Sequence, residues 1–194
     1  MDGLDPFEPS SFRNRLNSRL LDARTVVLNE AVTERVAGQL TEQLTVLDAE
    51  STDPIEVLIN NAPGGDVEAA LSVYDLLRAL SAPVTILAGG RVAGAAVVAF
   101  LGGPASRRFA LPHVRFWLEL PGASLTGETA DDIGARAETA RDRRARVVEV
   151  MAAATGQSEQ QVEADLSDRR AFEGEDAQDY GLVERVVQSR REVF

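Results

Sequence analysis

The sequence has no cysteine, no lysine and a single histidine, His113. Without cysteine there is no thiol nucleophile, no disulfide and no Cys-ligated zinc. One imidazole cannot build a multi-histidine metal site. All 20 basic residues are arginine, which reads as a coding bias but still removes lysine Schiff-base chemistry and the lysine of a phosphate-binding P-loop. Long apolar runs are also missing: nothing approaches the ~20 residues that cross a bilayer. Met1 to Arg15 is acidic and then polar, without the charged-then-apolar pattern of a signal peptide. The expectation is a cytoplasmic protein with no membrane partner.

What is present is enough for one domain. A chain of 194 residues, 44% hydrophobic and 26% charged, buries a substantial core without a disulfide or a metal. Its 31 acidic against 20 basic residues give a formal charge of −11. So acidic a surface argues against nucleic acid or anionic lipid as the main partner.

Strand and helix patterns alternate along the chain. Thr25 to Leu28 is a short β-branched run. Val32, Val36, Leu40, Leu44 and Leu47 then form one apolar stripe at helical spacing. Ile55 to Ile59 reads as a strand buried on both faces, broken by Asn61-Ala-Pro-Gly-Gly65. Asp66 is placed to cap a helix that turns Val67, Leu71, Tyr74 and Leu77 inward. Val84 to Ala88 is the next strand, closed by Gly89-Gly90, before a buried small-residue helix at about Val92 to Leu101. Two strand–turn–helix units in succession predict an α/β fold with parallel pairing.

Phe109 to Leu111 and Val114 to Leu118 are further strands, and Pro121 to Gly127 is a Gly-containing loop with strand potential. A long helix follows at about Thr129 to Thr155, with Gly156 just past its end. Its arginines at 136, 141, 143, 144 and 146 read as a solvated or interface face pairing with Glu138, Asp142 and Glu149. Ser158 to Gln161 is a capping box, and a last helix, Glu175 to Tyr180, stops at Gly181 before the apolar run Leu182 to Val187.

Taken together, these residues resemble the proteolytic subunit of the Clp protease, ClpP, within the crotonase-like superfamily. The resemblance runs from about Ser18 to Val187. It is carried by Asn61-Ala-Pro-Gly-Gly65, where the family reads N-S-P-G-G, and by Arg108-Phe-Ala-Leu-Pro112, which is identical to the family's R-F-A-L-P. Thr155-Gly-Gln157 and Tyr180-Gly-Leu182 follow in the family's order and spacing. The implied organisation is an N-terminal arm over 1–17, disordered or forming an axial loop, and a ClpP-like domain over 18–194. The implied fold is α/β, with repeated strand–turn–helix units and a protruding handle made of the segment Gly122 to Gly127 and the long helix.

The family's catalytic residues do not carry over. Its nucleophilic Ser lies in G-x-x-A-S-x-G, and Gly90-Arg-Val-Ala-Gly94-Ala-Ala96 puts Gly94 at that position. Its base is the His of R-x-x-x-H-Q-P, and Arg115-Phe-Trp-Leu-Glu119-Leu-Pro121 puts Glu119 there. Counting back from Ala171 to Ala177, the segment matching F-L-S-A-x-E-A, lands the orienting Asp on Arg169, with Asp165 and Asp168 only a small shift away.

Ser–His–Asp hydrolysis needs a hydroxyl to attack, an imidazole to move its proton and a carboxylate to hold the imidazole. Glycine supplies no nucleophile. His113 lies six residues before Glu119, roughly 20 Å along an extended strand, and reads as an ordinary loop or interface residue. Ser124 and Thr126 have no base evident beside them. The backbone oxyanion hole that the resemblance implies falls at Gly65 and Ala95, although Gly64-Gly65 is equally well explained as a tight turn. Glu119 and Arg169 are expected to form a salt bridge that fills the vacated site. Trp117 and Phe116 are expected beside it at a ring interface.

The resemblance implies seven-membered rings that stack into a barrel. The expected function is therefore a non-catalytic subunit of the inactive ClpR type, with no cofactor. It forms homo-oligomeric rings or mixed rings with an active ClpP paralogue, and docking of a Clp ATPase chaperone is left open. The alternatives are a crotonase-like acyl-thioester enzyme, with the Gly65/Ala95 hole and Glu119 as general acid/base, and a residual peptidase.

Overall fold

The computed structural model describes residues 9–120 and 130–194. The helix α1 (Pro9–Asp22) comes first, so residues 9–17, expected as an arm, are helical. Alternation then begins with β1 (Thr25–Leu28), α2 (Glu34–Glu50), β2 (Ile55–Ala62) and α3 (Val67–Ala79). It continues through β3 (Val84–Ala93), α4 (Ala95–Leu101), β4 (Arg108–Ala110) and β5 (Arg115–Trp117). The remainder is α5 (Ala130–Thr155), α6 (Glu159–Ser167), β6 (Ala171–Glu173), α7 (Gly174–Asp179) and β7 (Arg185–Val186). The Gly-rich half of the expected handle, 122–127, lies outside the described residues, as do Ser124 and Thr126.

The sheet is parallel in the order β1-β2-β3-β4-β7, as the strand–turn–helix alternation predicts. Strand β3 is its hub because it changes partner along its length. Ile86 to Ala88 pair with β4, whereas Arg91 to Ala93 pair with β5, which in turn carries the antiparallel β6. The strand does not close at Gly89-Gly90 but runs through both glycines to Ala93. The reason is steric. A Cβ on Gly90 would lie 2.2 Å from Asn61 Oδ1, and Gly90 has φ +59°. The two glycines admit the Asn60 and Asn61 amides where β2 and β3 shift register.

Val32 stands outside helix α2. Thr33 is the N-cap, its side chain accepting from Val36 N–H, and Val32 instead bridges Gly65. Asp66 caps α3 as expected, accepting from Ala69 N–H at 2.9 Å. Ser158 caps α6 by accepting from Gln161 N–H at 3.1 Å, but the expected box does not close. The Gln161 amide turns instead to buried Asp165. Three arginines of α5 have partners on other helices. Arg143 and Arg146 pair with Glu68 of α3 and Arg144 with Glu163 of α6, so they tie helices together rather than pairing along their own. Phe116 is buried against Phe100, with ring centroids 5.0 Å apart, and is a core residue rather than an interface one.

Three of the sequence landmarks meet in space. Arg108, only 1% exposed, donates from Nη2 to the carbonyls of Ala154 (2.7 Å) and Gly181 (3.1 Å). Gln157 Nε2 donates to the Tyr180 carbonyl at 3.1 Å. A Cβ at Gly181 would lie 2.2 Å from the Thr155 carbonyl oxygen. Arg108-Phe-Ala-Leu-Pro112, Thr155-Gly-Gln157 and Tyr180-Gly-Leu182 thus form one knot that fixes the end of α5 to the sheet. Burial pulls the Arg108 guanidinium down to about 10, with Tyr74 opposing and Arg78 adding to the shift.

Candidate functional site

The site is built where β3 turns into α4. Gly94 occupies that turn with φ +50° and ψ −122°, a conformation that L side chains rarely adopt. Its N–H donates to the Trp117 carbonyl at 2.9 Å, and the next residue, Leu118, donates its N–H to the Arg170 carbonyl at 2.9 Å. These two backbone bonds draw the segment after β5 and the end of α6 over the turn. Arg170 also puts its side chain on Asp165 at 3.1 Å.

A cavity of about 180 Å³ results, lined among the described residues by Pro63, Gly64, Gly65, Gly94, Ala95, Glu119, Leu120 and Arg169. All five residues singled out in the sequence (Gly65, Gly94, Ala95, Glu119 and Arg169) border it. Among the described residues, no hydroxyl, thiol or imidazole does. His113 borders a different cavity with Gly90, Arg91, Arg115 and Trp117.

The space at Gly94 is already taken. A Cβ there would lie 2.9 Å from the Glu119 carbonyl oxygen, closer than real Cβ contacts come. Gly65 is constrained still more tightly, with φ +132° and a hypothetical Cβ 2.3 Å from the Val32 carbonyl oxygen. The Val32 bridge causes this. Val32 N–H donates to the Gly64 carbonyl and Asp66 N–H to the Val32 carbonyl, each at 2.8 Å. These bonds leave the Gly65 N–H, like that of Ala95, with no partner among the described residues.

The expected Glu119–Arg169 salt bridge is absent. Glu119 Oε1 accepts from Arg91 Nη2 at 3.1 Å instead, and Arg91 lies over the Trp117 ring at 5.6 Å. The β3–β5 register explains the choice, since it pairs Ala93 with Trp117 and brings Arg91 alongside the segment leading to Glu119. No signal in the sequence identifies Arg91, because that register is not written in spacing.

Arg169 borders the cavity without an ion-pair partner among the described residues. It has φ +51° and sits just past α6, where Arg169 N–H donates to the Leu166 carbonyl and Arg170 N–H to the Asp165 carbonyl. This is a Schellman cap with arginine in the left-handed position that glycine ordinarily takes. Asp165, the nearby alternative, is buried and occupied. It accepts from Tyr180 OH at 2.8 Å as well as from Gln161 and Arg170. Burial, and then this hydrogen bond, push the Tyr180 hydroxyl well above the usual tyrosine range. Asp168 is the exposed C-cap of α6.

A family model described as Clp protease matches residues 10–190. The ATP-dependent Clp protease proteolytic subunit 1 of Streptomyces avermitilis is 37% identical over 185 residues, 95% of this chain and 85% of that protein. Proteolytic subunit 3 of Streptomyces coelicolor is 36% identical over 182 residues, 94% of this chain and 83% of that one. The solved structure of ClpP1 from Listeria monocytogenes superposes with a TM-score of 0.78 at 29% identity, covering 92% of this chain and 99% of the other.

Proposed function

The chain belongs to the Clp protease family, and we propose that within it the protein is a non-catalytic subunit of a Clp-type assembly. The observation that carries this reading is Gly94. The turn that would present a nucleophile has no side chain, and a neighbouring carbonyl oxygen fills the space one would need. Glu119 supports the reading, because its carboxylate is engaged by Arg91 and borders no hydroxyl among the described residues. Two backbone amides at an oxyanion position, lacking a nucleophile and a base, give only weak acceleration over water.

The role that remains is structural or regulatory. The protein builds homo-oligomeric rings or enters mixed rings with an active ClpP paralogue, and it alters proteolysis through assembly and through what a Clp ATPase docks on. Helix α1 supports association, since Phe12 and Leu16, one turn apart, are 63% and 47% exposed. No helix of the described residues is long and apolar enough to cross a membrane. Native mass spectrometry of the chain, alone and mixed with its host's active ClpP, tests the proposal. Rings containing this chain are expected. A monomer under both conditions contradicts it.

A further inference from the structure

We propose that the 180 Å³ cavity binds the carboxylate of a peptide, from a chain end or from an acidic side chain, in place of a scissile amide. This inference rests on the non-catalytic reading above and names the chemistry that the vacated site takes. Gly65, Ala95 and Arg169 border the cavity, and the two N–H groups and the exposed Arg169 guanidinium lack partners among the described residues. Two amides would satisfy a neutral carbonyl oxygen. A full cation beside them, with a planar fork of donors, matches a charged acceptor with two oxygens.

A carboxylate, Glu119, already borders the same cavity, yet Arg91 holds it and Arg169 stays unpaired. Arg91 therefore acts as a positioning residue that keeps the internal anion away from the cation. Volume limits the ligand. At about 180 Å³ the cavity is smaller than the roughly 300–1,000 Å³ of drug-sized sites. It has room for a carboxylate and a small side chain.

The test is fluorescence polarisation on the full chain with three fluorescein-labelled alanine-rich pentapeptides. One ends in a free carboxylate, one in an amide, and one in an amide but with a glutamate side chain. At least one acid peptide is expected to bind about tenfold more tightly than the neutral amide. Rising salt should shrink the preference. Arg169→Gln should erase it and Arg169→Lys should keep part of it.

Ala95→Pro removes one amide donor at a first helical position, where proline is tolerated, and is expected to weaken the acid peptides alone. Glu119→Gln, which deletes the competing anion, is expected to tighten them. Equal affinity for acid and amide, no binding of any peptide, or a preference untouched by Arg169→Gln overturns the proposal. Mass spectrometry of the same samples reads the underlying assignment separately. Cut peptide contradicts the non-catalytic reading whatever the acid-to-amide ratio.

Discussion

Restoring a serine at position 94 is the obvious attempt to revive a hydrolase, and the backbone says what it will cost. Gly94 has φ +50° and ψ −122°. Holding an L side chain in such a region costs on the order of 1–3 kcal/mol. The new Cβ would also stand 2.9 Å from the Glu119 carbonyl oxygen, so backbone must move. That backbone is anchored on either side, by Gly94 N–H to the Trp117 carbonyl and by Leu118 N–H to the Arg170 carbonyl, both at 2.9 Å. Overpacking against anchored structure costs about 1–3 kcal/mol more.

Gly94→Ser is therefore expected to destabilise the fold by about 2–6 kcal/mol. For a chain of this length that is a fall in Tm of roughly 4–24 °C by calorimetry. Gly94→Ala should fall by nearly the same amount, because the Cβ and not the hydroxyl is responsible. Neither variant should cleave peptide, since no imidazole borders the cavity among the described residues. A Gly94→Ser protein with unchanged Tm, or one whose introduced hydroxyl is labelled by a fluorophosphonate, would refute the reasoning.

Arg169→Gly is expected to raise stability by about 0.5–1 kcal/mol, because glycine takes the left-handed cap without strain. Denaturant melts check this, and the same variant should lose the acid-peptide preference. Arg108→Ala should destabilise by about 2–4 kcal/mol, since it empties a buried volume and strips a donor from the Ala154 and Gly181 carbonyls. Tyr180→Phe leaves the buried Asp165 carboxylate one donor short and should cost about 1–3 kcal/mol at neutral pH. Tyr180 holds its proton more tightly folded than unfolded, so the stability this contributes is complete below the ordinary value of 10.0 and is lost as pH rises above it. Unfolding followed above pH 10 should accordingly show a steeper loss in the parent protein than in the Tyr180→Phe variant.

Most of the α/β frame is legible because its elements obey strong rules. The Val36–Leu47 stripe, the Asp66 cap and the apolar run of β2 each stand where spacing and end residues put them. The elements that spacing does not reveal carry weak signals for physical reasons. Helix α1 leaves Phe12 and Leu16 exposed and so carries no core-facing stripe. Strands β6 and β7, of three and two residues, are too short to show a period. Gly89-Gly90 reads as a strand end because glycine usually breaks a pattern, yet here it makes room for two asparagine side chains.

At the site, the positions Gly65, Gly94, Ala95, Glu119 and Arg169 can be aligned from motifs, and they border one cavity. Their pairing cannot. Whether Glu119 meets Arg169 or Arg91 depends on the β3–β5 register and on the turn after α6, both set by tertiary contacts. The same holds for Phe116, whose place in the core follows from its pairing with Val92 and Phe172.

Fluorogenic peptide turnover by the purified chain is the most direct test of whether this cavity can do hydrolytic work. The residual acceleration that two backbone amides can give lies below detection in such an assay, so rates indistinguishable from buffer are expected, alone or with the Gly94→Ser change. Turnover that scales with the concentration of this chain and follows it through a sizing column would contradict the account.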